Sequence, residues 1–195
     1  MHKFLSYIKI NLFAPVVLIL WTLCHQSKKK LIEEDMANWS NWKGCNSGLS
    51  GLFFLFGEYP EFRSLFYYRI GHLSYLFSWL VRGQPCLYFR SKNIAGGMLV
   101  QHGFATIIDA EKIGVNCKIF QQVTIGYNGC ERPVIGDNVI VCAGAKILGG
   151  ITIGNNVIIG ANAVVVKDVA SNCVVGGVPA HFIKYTNDNT KEVVC

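Results

Sequence analysis

The sequence predicts a parallel β-helix preceded by a helical region, and three observations carry that prediction. An aliphatic residue recurs every sixth position through the second half of the chain. Of the 24 large aromatics, 19 fall before residue 93, all four Trp among them. The positive charge is equally uneven: residues 1–92 hold 11 Lys/Arg against 5 Asp/Glu, and residues 93–195 hold 7 against 7. A chain of 195 residues, 51% hydrophobic and only 15% charged, is neither disordered nor fibrous, and its length suits one domain with an appendage. The division expected is a helical, aromatic, basic region at 1–92, a β-helix at 93–184 and a polar tail at 185–195.

In the first region, residues 4–24 are apolar but interrupted by Lys9 and Asn11, which leaves an unbroken run from Leu12 to Cys24. That run is shorter than the 18 or so residues a spanning helix needs. Lys28, Lys29 and Lys30 follow it. A cleavable leader would carry its charge before the apolar run and small residues after it, so the pattern argues against one. Lysines beside an apolar segment favour the cytoplasmic face and its anionic headgroups. Residues 48–57 and 61–83 are again apolar and aromatic. In the latter, Phe62, Leu65, Phe66, Arg69, Ile70, Leu73, Leu76 and Phe77 recur at helical steps, and Gly83-Gln84-Pro85 ends the helix. Such a helix must be buried in protein or lipid. The expectation is contact with the inner face of the cytoplasmic membrane, the alternative a helical cap packed on protein.

The second region is a repeat. The aliphatic series runs Ile107, Ile113, Ile119, Ile125, then Ile135, Val141, Ile147, Ile153, Ile159 and Val165. Four positions after each stand small or aliphatic residues such as Cys117, Val123, Val139 and Ala145, and Gly follows the aliphatic at 114, 126, 136, 154 and 160. A period of six fits neither a helix nor an alternating strand. It fits short strands stacked in a coil, aliphatics inward and Gly at tight corners. The series slips once, by four residues between Ile125 and Ile135, and a coil accommodates such an insertion only as an outward loop. That loop carries Tyr127, Glu131 and Arg132.

The candidates for chemistry are few. The eight cysteines show no CxxC pair and no grouping with His, so no metal site is expected and they read as reduced, buried thiols. His102 is the one His of the repeat region before His181. An imidazole near neutral pH can take a proton from an attacking alcohol, and a His on the outer face can equally be satisfied by hydrogen bonds alone. The lysines flank an apolar run and form no basic face, which argues against nucleic-acid binding.

The segments LVQHGFATIID, QQVTIG, CAGAKILGGITIG and GANAVVVKDV, followed by VVGGVPA, resemble the hexapeptide-repeat acyltransferases, and within them the serine acetyltransferase branch. The resemblance covers about residues 93–184. It implies a left-handed β-helix, a homotrimer with the active site between neighbours, and acetyl-CoA as co-substrate. It implies His102 as general base and Asp109 as a residue that orients or polarises the site. It implies that Ala143, Gly144 and Ala161 hold the pantetheine arm, with Lys146 and Lys167 as partners for the cofactor's phosphates or else solvated corner residues.

Several positions depart from that branch. Gln101 stands where an Asp commonly helps hold the serine ammonium, and Glu131-Arg132-Pro133 lacks the loop His that helps bind the carboxylate. No acidic residue lies between Glu61 and Asp109 to pair with His102. A site for a zwitterion needs complementary charges. With Gln101, Tyr127 and Arg132 as acceptor-binding candidates, the expected activity is O-acetylation of a sugar hydroxyl, as in the branch that acetylates bacterial surface polysaccharides. Transfer to L-serine is the alternative, and a non-catalytic β-helix scaffold a second one.

Overall fold

The computed structural model describes residues 2–186, with side chains described from residue 12 onward. The chain divides into two compact units at Pro85–Cys86. Residues 86–92 therefore belong with the coil, several positions earlier than the sequence boundary at 93. The tail expected at 185–195 lies outside the described residues from 187 on.

The first unit contains α1 (His2–Leu23), α2 (Gln26–Lys43), α3 (Leu49–Glu58) and α4 (Pro60–Ile70). The helix ends follow from local chemistry. The His25 ring accepts the Ser27 N–H to start α2, and Gly44, at φ 64°, ends it by donating its N–H back to Ser40. Pro60 occupies the first turn of α4, where its missing N–H costs nothing. Val17, Leu20, Trp39, Leu52, Phe56 and Phe66 are buried between the helices, and Trp39 meets Phe62 edge-on at 5.5 Å. Between α2 and α4, Arg69 donates to both carboxylate oxygens of Asp35 at 2.8 and 3.0 Å. Removing either buried partner would cost about 3–5 kcal/mol.

The single helix expected over 61–83 is not formed. Gly71, at φ 68°, ends α4, and a 3-10 segment (Gly71–Leu76) takes over with tighter winding and no fully buried residue. Among the described residues no helix is long and apolar enough to cross a membrane. The apolar run of α1 is partly core, through Val17 and Leu20, and partly exposed, through Leu18, Ile19 and Leu23.

The second unit is a left-handed parallel β-helix with three faces. The first face stacks β1 (Leu87–Phe89), β3 (Thr106–Ile108), β6 (Thr124–Gly126), β9 (Lys146–Leu148) and β12 (Val164–Val165). The second stacks β4 (Lys112–Ile113), β7 (Val134–Ile135) and β10 (Thr152–Ile153). The third stacks β2 (Leu99–Val100), β5 (Lys118–Ile119), β8 (Ile140–Val141), β11 (Ile158–Ile159) and β13 (Cys173–Gly176), closed by antiparallel β14 (His181–Tyr185). The four-residue slip falls between β6 and β7, as an outward loop. Ile113, Ile119, Ile125, Ile135, Val141, Ile147, Ile153, Ile159 and Val165 all point inward and are buried. Ile107 does not: it is 38% exposed, while Thr106 and Ile108 are fully buried. Val100 to Ile108 spans eight positions where Ile119 to Ile125 spans six, and Ile108 to Ile113 spans five, so the inward position of that strand moves from 107 to 108.

Three edges join the faces. The edge between the second and third faces is closed by side chains. Asn116, Asn138, Asn156 and Asn172 all have φ near +55 to +61° and donate amide to amide up the coil at 3.3, 3.0 and 2.8 Å. Beside them, Asp137, Asn155 and Ser171 each accept a backbone N–H from the coil before. The corner glycines serve a different purpose from the one expected. At Gly136 a Cβ would stand 2.8 Å from the backbone carbon of Gly154, and Gly114 and Gly154 are equally crowded by backbone, so these three allow close stacking while Asn makes the left-handed turn.

The thiols also depart in part from expectation. Cys117 is buried, donates to Gly136 O at 3.2 Å and is pushed by that burial up to about 12. Cys86 and Cys130 are exposed, and Cys142 is disulfide-bonded.

Candidate active site

The edge between the third and first faces carries the strongest candidate. His102 lies in its first corner at φ 61° with its side chain exposed. Val100 pairs with Ile119, Ile119 with Val141 and Val141 with Ile159, and the N–H groups of Gln122, Gly144 and Asn162 donate to Phe104 O, Gln121 O and Ala143 O, so Phe104, Gln121, Ala143 and Ala161 stack as one column, with His102 two residues before it on the same edge. The side chains shrink from phenyl ring to methyl up that column. Small residues leave the coil backbone accessible to an extended ligand, and the tight corner at Gly144 has no room for a Cβ, which would meet the Asn162 amide. The Gly144 N–H donates to Gln121 O at 3.0 Å, and the Asn162 N–H to Ala143 O at 2.9 Å. Lys146 closes the corner by donating to Gln122 O at 2.6 Å and Gly144 O at 2.9 Å.

The imidazole Nε2 of His102 lies 3.4 Å from the side-chain nitrogen of Gln101. Among the described residues no other side chain is within hydrogen-bond reach of the ring. Asp109 does not orient it. Asp109 follows β3, on the edge between the first and second faces, and its buried carboxylate accepts from Arg132 Nε at 2.7 Å. That bond and the charge behind it raise the Arg132 guanidinium further above its ordinary range, and the guanidinium carbon lies 5.7 Å from the Tyr127 ring centre. Asp109, Tyr127 and Arg132 thus form one cluster under the inserted loop, and His102 with Gln101 forms another.

The pantetheine candidates Ala143, Gly144 and Ala161 share the His102 edge, and Lys146 with them. Lys167 does not. It is exposed between β12 and β13, beside a cavity of about 210 Å³ lined by Asp168, Pro179 and His181. Gln121 was missed in the sequence. Its Oε1 is buried without a hydrogen-bond partner, one coil above the corner that carries His102. Three hexads forward from His102 reach Phe120, so the six-residue period does not mark it. Among the described residues no group of three or more His, Cys, Asp or Glu could hold a metal ion.

The bacterial transferase hexapeptide family (six repeats) matches residues 132–167. Those residues carry the hexapeptide repeat of that family. A serine acetyltransferase of Staphylococcus xylosus is 48% identical to this hexapeptide chain over 97 residues, 47% of this chain and 45% of its own length. A serine acetyltransferase of Synechococcus elongatus is 36% identical over 140 residues, 64% of this chain and 57% of its own. The hexapeptide chain thus spans about half the length of the curated relatives it matches. Among solved structures, the serine acetyltransferase of Neisseria gonorrhoeae superposes with a TM-score of 0.68 at 27% identity, covering 85% of this chain and 69% of that one. The same enzyme in complex with serine gives 0.66 at 27% identity, over 82% and 70%.

Proposed function

We propose that the hexapeptide unit transfers acetyl from acetyl-CoA to a hydroxyl, with His102 as general base. The observation that carries this is an exposed imidazole at the foot of an edge whose next coils present the backbone of Ala143, Gly144 and Ala161. His102 takes the hydroxyl proton as the oxygen attacks the thioester carbonyl, and backbone N–H groups stabilise the oxyanion. The coenzyme A thiolate then leaves and recovers the proton from His102. Three copies complete the groove, a neighbour covering the His102 edge.

L-serine is the acceptor that the relatives favour, since the two sequence relatives described above are named serine acetyltransferases and one solved neighbour is in complex with serine. A sugar hydroxyl is the second reading, favoured by a specific observation. The side chain beside His102 is the neutral Gln101, and the loop cation Arg132 is already neutralised by Asp109. A zwitterion would find neither a free anion nor an unpaired cation there. We further place the chain in the cytoplasm, with its basic N-terminal unit touching the inner face of the membrane.

Acetyl-CoA offered with L-serine or with a panel of sugars, while free thiol is followed, decides the acceptor. Thiol release with L-serine and not with sugars supports the first reading, and the reverse supports the second. No acceptor-dependent release from a chain that also fails to bind coenzyme A would leave the scaffold reading.

A further inference from the structure

We propose that the 3-10 segment Gly71–Leu76, the turn that follows it and the α1–α2 corner form one face that docks on an anionic lipid surface. This rests on the membrane contact proposed above, and it moves the contact away from the apolar run of α1 alone. Part of that run is unavailable, because Val17 and Leu20 are fully buried within the unit. The 3-10 segment and its turn have the opposite character. Tyr75 is 75% exposed, Trp79 69%, Leu80 59% and Leu76 52%.

Such a density of large apolar side chains in six residues exceeds what a surface carries without a partner. Trp79 satisfies its own indole N–H on Leu76 O at 3.0 Å, so its ring carries no unmet donor into an apolar layer. Tyr and Trp are also the residues that sit at the headgroup level of a bilayer.

The α1–α2 corner stands against this segment. Leu23, His25, Lys28, Ile70, His72 and Leu76 line one open cavity of about 350 Å³. Lys28 Nζ donates to Ile70 O at 3.0 Å and fixes the corner to the start of the segment. The cavity is apolar on one side and cationic or titratable on the other, as a lipid with a charged head and an acyl chain requires.

Charge complementarity selects the occupant. Residues 11–32 and 70–85 contain no Asp or Glu, while Lys28, Lys29, Lys30 and Arg82 lie within them. Lys30 and Arg82 are exposed. A second copy meeting this face about a twofold axis would bring those cations together, which disfavours self-association. Anionic headgroups neutralise them, and the apolar side chains enter the layer beneath.

The test is sedimentation of the full chain with phosphatidylcholine vesicles, alone or mixed with phosphatidylglycerol. The wild type is expected to pellet with the mixed vesicles and to be released by added salt. Combined Tyr75→Ser, Leu76→Ser, Trp79→Ser and Leu80→Ser should remain in the supernatant, and Lys30→Glu with Arg82→Glu should weaken binding about tenfold or more. A wild type that never pellets with mixed vesicles overturns the membrane contact itself. A wild type that pellets while the serine variant pellets equally keeps the contact and overturns this face. Variants that lower the mass of the assembly and leave vesicle binding unchanged would make the face an interface between copies. Should the serine variant fail to fold, brominated lipids decide: wild-type tryptophan emission should be quenched, and Trp79→Phe should lose most of that quenching. Equal quenching in the two overturns the proposal.

Discussion

Two edges of the β-helix are built from the same strands with the same rise, yet they end in opposite states. The edge of Asn116, Asn138, Asn156 and Asn172 closes on itself, each amide bonded to the next and the neighbouring N–H groups capped by Asp137, Asn155 and Ser171. The edge of His102, Gln121, Ala143 and Ala161 makes no such ladder. Its imidazole meets only Gln101, and Gln121 Oε1 has no partner. Both edges need left-handed corners, so backbone geometry does not separate them. What separates them is satisfaction of polar groups. A coil held firmly along one edge can leave another edge open without unravelling, and the open edge is where a ligand can gain hydrogen bonds.

The comparison breaks most directly at His102. His102→Asn keeps a residue that tolerates φ 61° but removes the base, and thiol release should fall by about 10²–10⁴-fold. Coenzyme A binding by calorimetry should be unchanged. Asn138→Ala tests the closed edge. It removes the amide bonds to Asn116 and Asn156 and leaves Ala at φ 55°, so stability to urea should drop by about 2 kcal/mol. Turnover per folded molecule should not move. Activity loss in Asn138→Ala, or survival of activity in His102→Asn, would erase the distinction between the edges.

The six-residue period made the coil legible, because burial of Ile113 through Val165 depends on spacing alone. It misplaced Ile107, since the His102 corner is two residues longer than the corner above it and no periodicity reveals which residues bulge. The glycines were visible but their reason was not: a clash between Gly136 and Gly154 exists only once coils are stacked. His102 was legible as a lone imidazole, but its supposed partner was not. Asp109 and Arg132 are 23 positions apart, and the inserted loop brings them together across one edge while His102 stays on another. The helix over 61–83 failed at Gly71, where the apolar pattern continues but the backbone turns left-handed.

A smaller effect is expected from the Asp109–Arg132 pair. Arg132→Gln keeps a hydrogen-bond donor and removes the charge, and its side chain is 43% exposed, so solvent screens much of the loss. If Arg132 holds an acceptor carboxylate, KM for L-serine should rise several-fold while KM for acetyl-CoA and kcat stay near wild type. If the acceptor is a neutral sugar, its KM should hardly change, so the two readings of the acceptor separate on this one variant.

The least change is expected at Lys146, which tests how far the open edge is truly free of internal bonds. Its ammonium has three N–H groups and already donates two of them to Gln122 O and Gly144 O, joining consecutive corners. Lys146→Gln can keep one of those bonds and loses the charge. A lysine that mainly clamps the corner predicts a modest loss of thermal stability and a change in acetyl-CoA KM of less than about threefold. A lysine that also binds a cofactor phosphate predicts a KM rise of roughly tenfold or more, shrinking as salt is added. The measured salt dependence, more than the size of the effect, tells the two apart, because two backbone carbonyls one coil apart feel little of the ionic strength that a phosphate contact feels in full.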